Sequence, residues 1–232
     1  MKIFSISDLH LSLSVDKPMD VFGGNWEGYV DEIVRNWNEM VQDDDLVLIA
    51  GDISWAMRID QAKQDLLFLD SLKGKKVIIK GNHDYWWNSL AKVKTILPGS
   101  VFALQNNAVR FEDGFVIAGT RGWNITPNDG AIEDLKIYKR ELIRLQLSLD
   151  EANKIKKEGD KVICMMHFPP FNAFASDSEY TQILEKNRVD AVVYGHLHGG
   201  LVKYPKFIEK SGIKYYLTSC DQIANKPVII YE

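Results

Sequence analysis

The sequence predicts an α/β fold, with a largely parallel sheet in its first half and its chemistry collected where strands end. Short, fully apolar, β-branched runs alternate with stretches of helical spacing over roughly the first hundred residues, the pattern of buried parallel strands joined by helices. Each run stops abruptly at a glycine or a polar residue. All five histidines of the chain sit at or just after such endings.

Residues 2–7 read as a first strand leading into Asp8-Leu9-His10. The Ser-, Pro- and Gly-rich stretch 11–25 reads as a long loop, and loops of that length tend to carry function. Tyr29, Ile33, Trp37 and Met40 or Val41 share one helical face and predict a helix over 26–41. Asp43-Asp44-Asp45 reads as a solvated acidic turn rather than a metal site, because the next strand, Leu46-Val47-Leu48-Ile49-Ala50, begins at once. That strand ends at Gly51-Asp52. Ile59, Ala62, Leu66 and Leu69 predict a helix over 59–72, closed by Lys73-Gly74-Lys75. The third strand, Lys76-Val77-Ile78-Ile79-Lys80, opens directly onto Gly81-Asn82-His83-Asp84.

The middle of the chain changes character. Runs at 101–104, 108–111 and 115–119 are short, and Asp113-Gly114 between the last two is a hairpin signal. A Trp/Asn/Pro/Gly loop at 121–130 precedes a long amphipathic helix over 132–157. The strand at 161–166 ends at His167-Phe168-Pro169-Pro170, where the prolines forbid its continuation. The strand at 190–194 ends at Gly195-His196-Leu197-His198-Gly199-Gly200, and 214–218 and 228–231 supply closing strands. With no repeat, low-complexity segment or linker, a single domain over 1–232 is expected.

At 232 residues the chain can bury one sizeable core, and 46% hydrophobic with 26% charged residues is ordinary for a soluble protein. A net charge of -4 argues against a protein that grips nucleic acid through its backbone. It leaves room for a small anionic substrate, because a metal supplies positive charge locally. The two cysteines suggest no disulfide framework, and Cys164 lies in an apolar run, so a reducing cytoplasm is the expected compartment. No signal peptide is visible and no apolar run approaches the roughly 20 residues of a membrane span, so no membrane partner is expected.

In an open α/β sheet, ligands collect at the carboxyl ends of the strands. Neighbouring strands lie about 4.8 Å apart, so their ends can meet around a small ion. The inventory there is Asp8, His10, Asp52, Asn82, His83, His167, His196 and His198. Imidazole mixed with carboxylate and amide oxygen suits Zn, Mn, Fe or Co. So many groups exceed the positions around one such ion, and two divalent metal ions are the natural count. Two ions bring four positive charges against the carboxylates of Asp8 and Asp52. With a bridging hydroxide the site stays positive by about one charge and attracts a phosphate ester. Ions about 3.5–4 Å apart can hold the attacking hydroxide and brace the phosphoryl oxygens, with the pKa of bound water lowered to about 7.

These blocks resemble the calcineurin-like (binuclear) metallophosphoesterase family, whose pattern runs Asp-x-His, Gly-Asp, Gly-Asn-His-Asp/Glu, His and Gly-His-x-His. They occur in that order as Asp8-Leu9-His10, Gly51-Asp52, Gly81-Asn82-His83-Asp84, His167 and Gly195-His196-Leu197-His198. The resemblance implies a two-sheet β sandwich flanked by helices, and a hydrolase of phosphomonoesters or phosphodiesters acting by attack of metal-bound hydroxide. It implies that Asp8, His10 and His198 bind one metal, that Asn82, His167 and His196 bind the other, and that Asp52 bridges them. His83 matches a histidine that is not a ligand and faces the phosphate or the leaving group, where a general acid protonates the departing alkoxide. Asp84 would favour the protonated imidazole if it lay close to it.

One branch of the family is a poorer match. Protein serine/threonine phosphatases carry Asp and Arg three and four residues after the bridging Asp, where this chain has Trp55 and Ala56. The resemblance is closer to the small phosphodiesterases and phosphatases. Arg58 is a nearby candidate for phosphate, and Trp55, Trp86, Trp87 and Trp123 are candidates either for pocket walls or for core. The expected substrate is a small phosphorylated molecule, such as a nucleotide or phosphorylated metabolite, reached between the 11–25 and 121–130 loops. Two alternatives are a degenerate member serving as a protein-binding scaffold, which the intact residue set opposes, and a nuclease, which the acidic balance opposes.

Overall fold

The apolar runs become strands in two facing sheets. The computed structural model describes residues 1–125, 131–172, 176–199 and 205–232. In the first sheet β1 (Ile3–Ile6), β2 (Leu46–Ile49), β3 (Lys75–Ile79) and β4 (Val101–Leu104) run parallel, with β11 (Val228–Tyr231) antiparallel beside β1. In the second, β6 (Phe115–Thr120), β7 (Lys161–Met166), β8 (Ala191–Tyr194) and β10 (Ile213–Leu217) are parallel. The antiparallel strands β5 (Val109–Phe111) and β9 (Phe207–Lys210) close its two edges.

Side-chain alternation along each strand builds three apolar layers. Leu46, Leu48, Val77 and Ile79 from the first sheet meet Ile117, Ile163, Met165 and Val193 from the second, forming the filling of the sandwich. The opposite faces turn to helices. Val47, Ile49 and Ile78 pack under α1 (Tyr29–Met40) and α2 (Ile59–Ser71), through Ile33, Trp37, Leu66 and Leu69. Val162, Cys164 and Val192 pack under α4 (Ile132–Ile155) and α5 (Glu179–Lys186), through Leu145, Leu149, Tyr180 and Leu184. Strands covered on both faces are apolar at nearly every position, which is why they read as almost continuous runs; Ser5 in β1 and Lys76 in β3 are buried exceptions.

One expectation is corrected, and several features go beyond the sequence reading. The first helix starts at Tyr29, not Trp26: residues Gly24–Trp26 form a 3₁₀ turn, and Gly28, with φ of 64°, breaks the path into the helix. The run at 101–104 belongs to the parallel first sheet, and only the hairpin Val109–Thr120 opens the second, with Phe111 opposite Phe115. The edge strand β9 and helices α5 and α3 (Leu90–Lys94) were not foreseen. Part of the 121–130 loop, residues 126–130, lies outside the described residues, as does Gly200.

No helix among the described residues is long and apolar enough to cross a membrane. Cys164 and Cys220 are buried free thiols. One buried charge stands out in β3: Lys76 is fully buried, with Nζ donating to Leu72 O and to Ser100 Oγ at 3.2 Å. Burial pulls its pKa down to about 8. Below pH 8 the group is protonated whether the chain is folded or unfolded and contributes no slope. Between about 8 and 10.5 the unfolded chain binds the extra proton, so folding stability gains as pH rises. The stability of wild type minus that of Lys76→Met should therefore be flat below pH 8 and rise above it, by an amount on the order of 3 kcal/mol by pH 10.5. Denaturant titrations across that range check it, and a flat difference throughout contradicts it.

Candidate metal centre

Every block named in the sequence reaches the same edge of the sandwich, where strands of both sheets end. The loops after β1 and β2 are zipped together: Asp8 N donates to Gly51 O at 3.0 Å, His10 N to Asp52 O at 3.0 Å and Leu11 N to Ile53 O at 2.9 Å. The two sheets are stitched at the same place, with Ser7 N donating to Thr218 O at 2.8 Å and Cys220 N to Ser7 O at 3.1 Å. Asp8, His10, Asp52 and His196 all adopt left-handed backbone, with φ of 60°, 45°, 51° and 70°. Such angles cost about 1–2 kcal/mol each outside glycine, and they persist where surrounding structure dictates them. The glycines of the motifs have a spatial cause. A Cβ on Gly81 would collide with the Asp52 carboxylate, and one on Gly195 with the Asp8 carboxylate and the Ser7 hydroxyl.

The side chains form two adjoining groups. In one, His198 Nε2 lies 3.2 Å from Asp8 Oδ1, and Asp8, His10 and His198 present ligand atoms within 4.8 Å of one another. Asp8 is held in place by Ser7 Oγ at 2.5 Å and by His196 N at 3.1 Å. In the other, Asn82 Oδ1 faces His167 Nε2 at 2.7 Å and His196 Nδ1 at 2.9 Å. His167 Nδ1 donates to Ala50 O at 2.9 Å, which fixes the tautomer and leaves Nε2 turned to Asn82. Asp52 Oδ2 stands between the groups, 3.8 Å from His10 Nε2 and 3.4 Å from His167 Nε2. Its Oδ1 accepts the His83 N–H at 2.7 Å.

The chemistry of this donor set fits divalent cations. The buried imidazole of His10 makes no hydrogen bond among the described residues, and its Nδ1 is an orphan. Such groups are rare in folded proteins unless an ion or water completes them. Protonation tells the same story. Burial alone would lower the His198 pKa, yet the bonds and charges of Asp221 and Asp8 push it up to about 10. His167 likewise loses stability as a cation through burial, but Asp52 and Asp8 raise it to about 9. Burial opposes the charge on Asp8 and Asp52 too, and the neighbouring imidazoles hold both below the usual carboxylate range. His10 and His196, where burial prevails, fall to about 4. The acids thus gather positive charge around themselves, and divalent cations would replace those protons.

His83 stands at the rim, half-buried, its ring 4.5 Å from Trp55 and 6.0 Å from Tyr85. Its Nδ1 has no hydrogen-bond partner among the described residues, and burial lowers its pKa. Asp84 does not support it. That carboxylate is fully buried and turned inward, accepting from Ile53 N at 2.9 Å, Ser54 N at 3.1 Å, Gly81 N at 2.7 Å and Trp86 Nε1 at 3.0 Å. Asp84 therefore clamps the turn after β3 onto the turn after β2, and its expected pairing with His83 is not made. Its pKa is pushed up to about 6 by burial and by the charge of Asp52. Arg58 is also elsewhere engaged, forked onto exposed Asp60.

The tryptophans divide. Trp86 and Trp87 are buried in the core under the first sheet. Trp55 stacks on His10 at 4.8 Å, and Trp123 packs on Phe168, whose ring lies 4.0 Å from His196. Two contributors escaped the sequence reading. Trp26 sits 5.9 Å from the His10 ring and 5.4 Å from the His198 ring. Asp221 accepts from His198 Nδ1 at 2.8 Å and from Gly199 N at 2.9 Å. The available signal was its place, an acid just past the end of β10 at the same sheet edge as the other blocks.

Residues 1–200 match the calcineurin-like phosphoesterase family. The chain belongs to that family. Among curated proteins, an uncharacterized protein of Methanocaldococcus jannaschii is 34% identical over 84 residues, covering 36% of this chain. The matched region spans about half, 47%, of that relative's length. Solved structures share the fold at low identity. The phosphopantetheinyl hydrolase PptH of Mycobacterium tuberculosis superposes with a TM-score of 0.55 at 15% identity, covering 94% of this chain and 88% of that one. Protein TT1561 of Thermus thermophilus gives 0.56 at 10% identity, covering 99% and 97%. The two mixed sheets flanked by helices are thus the family fold.

Asp221 gives a direct prediction. Carboxylates that hold a ligating imidazole typically contribute 10–100-fold in metal affinity. Asp221→Ala should weaken metal binding by about that factor in a chelator competition. An unchanged affinity would show that Asp221 does not position His198.

Proposed function

We propose that this family member is a hydrolase, one domain over 1–232, that cleaves a phosphomonoester or phosphodiester of a small phosphorylated substrate at two divalent cations, drawn from Mn, Fe, Zn or Co. The observation that carries the reading is Asp52 Oδ2, an anionic atom within 3.8 Å of a nitrogen from each group. In this reading Asp8, His10 and His198 would hold one cation, Asn82, His167 and His196 would hold the other, and Asp52 would serve both. Bound there, the cations supply Lewis acidity, lowering the pKa of water and neutralising phosphoryl oxygens.

The chain supplies the rest. Asp52 holds His83 by its main chain, at the rim beside Trp55. An arriving phosphate favours the protonated imidazole, and His83 then delivers a proton to the departing oxygen. Trp26, Trp55 and Tyr85 wall the approach. The two free buried thiols support a reducing, cytoplasmic setting.

Loading the protein with each metal in turn and offering aryl phosphate monoesters and bis-esters tests the proposal. Metal-dependent release of the aryl alcohol is expected. A metal-loaded protein inert across the panel would instead favour a binding scaffold that has kept the fold.

A further inference from the structure

A cavity of about 200 Å³ opens beside the carboxyl ends of β3, β4 and β6, lined by Lys80, Thr120, Arg121, Arg140, Glu141 and Arg144 among others. None of the metal-centre residues named above lines it. It abuts that centre through the main chain, where His167 N and Phe168 N both donate to Arg121 O at 3.0 Å, and through Trp123, over whose ring the Arg121 guanidinium lies at 4.7 Å.

Its charges do not balance. Glu141 is its one acid among the described residues, fully buried, and Glu141 Oε2 is taken by Thr120 Oγ1 at 2.7 Å. Glu141 Oε1 is shared by three guanidinium groups, Arg144 at 2.7 Å, Arg121 at 3.7 Å and Arg140 at 3.9 Å. Lys80 adds a fourth cation whose bond is to a neutral acceptor, Trp87 O at 2.7 Å. Arg121 Nε is buried and has no hydrogen-bond partner among the described residues. The Arg121 and Arg144 side chains are only 18% and 31% exposed and share that single carboxylate, and charge withdrawn from water without a counter-charge is costly. Four cations on one carboxylate, with an idle donor and space for several waters, match a site for an oxyanion. Guanidinium forks suit phosphate in particular, because two parallel N–H groups meet two of its oxygens.

We propose that Lys80, Arg121, Arg140 and Arg144 bind a phosphate group, at a second site outside the metal centre. The group is either a distal phosphate of the substrate or free inorganic phosphate; the chemistry is the same.

Calorimetric titration of inorganic phosphate tests this independently of the hydrolase reading. A chain carrying Asp52→Asn, in which the metal centre is impaired, should still take up one phosphate. Adding Arg140→Gln should weaken that uptake about tenfold, the usual scale for a charge-assisted bond. The Arg140 side chain is 53% exposed and only loosely paired, so the fold survives its loss, as thermal melting would verify. No uptake by the Asp52→Asn chain, or uptake indifferent to Arg140→Gln, overturns the proposal. Kinetics of the Arg140→Gln chain with intact Asp52 then separate the sources. A KM raised for a bisphosphorylated ester but not for an aryl monophosphate identifies a distal substrate phosphate. An unchanged KM for both, with weakened uptake, identifies free phosphate.

Discussion

Replacing Asp52 with asparagine should lower phosphoester turnover by on the order of a thousandfold or more, with the loss of at least one metal per chain. The size follows from the several kcal/mol that a two-cation centre contributes to the transition state, at about 1.4 kcal/mol per factor of ten. The substitution is nearly isosteric, and its amide oxygen can still accept the His83 N–H that Asp52 Oδ1 holds at 2.7 Å. What disappears is the negative charge of Oδ2, the atom placed between the imidazoles of His10 and His167. Turnover and metal content, measured on a variant whose circular dichroism matches wild type, check the expectation. Undiminished turnover would remove Asp52 from the centre.

The second large effect has the opposite signature. His83→Asn should cut turnover by about 10²–10⁴, the usual worth of a positioned general acid, while metal content stays near that of wild type. Among the described residues the ring is not gathered with either ligand group and its Nδ1 has no hydrogen-bond partner. The deficit should also depend on the leaving group, larger for an alkyl phosphate, whose alkoxide needs a proton, than for a nitrophenyl phosphate, whose phenolate departs unaided. Loss of both metals would make His83 a ligand, and an equal deficit for both substrates would deny it the role of acid.

Why so much of the site was legible while parts of the fold were not follows from the kind of signal each leaves. Asp8, Asp52, Asn82, His167 and His196 each follow a mainly apolar run, because strands buried on both faces admit few polar residues, and those they do admit, such as Ser5 and Lys76, have their hydrogen bonds made. The division into two sheets leaves no such mark. A buried strand reads the same in either sheet, so 101–104 could not be assigned to the first from its own residues. Asp221 follows a strand, Ile213–Leu217, whose alternating burial makes a weaker pattern, and its partner His198 lies far away in sequence. Asp84 shows the reverse failing. Its neighbour in the chain is His83, yet on a tight turn adjacent side chains diverge, and Asp84 points to the main chain of Ile53 and Ser54 while His83 faces out. Trp86 and Trp87 follow the same turn inward, where their rings fill the core.

The central claim is that two cations are caged between the ends of the two sheets. Anomalous X-ray scattering from crystals of the metal-loaded protein tests it most directly. Two peaks about 3.5–4 Å apart are expected, one against Asp8, His10 and His198, the other against Asn82, His167 and His196, with Asp52 touching both. A single peak, or metal bound away from these seven side chains, would contradict it.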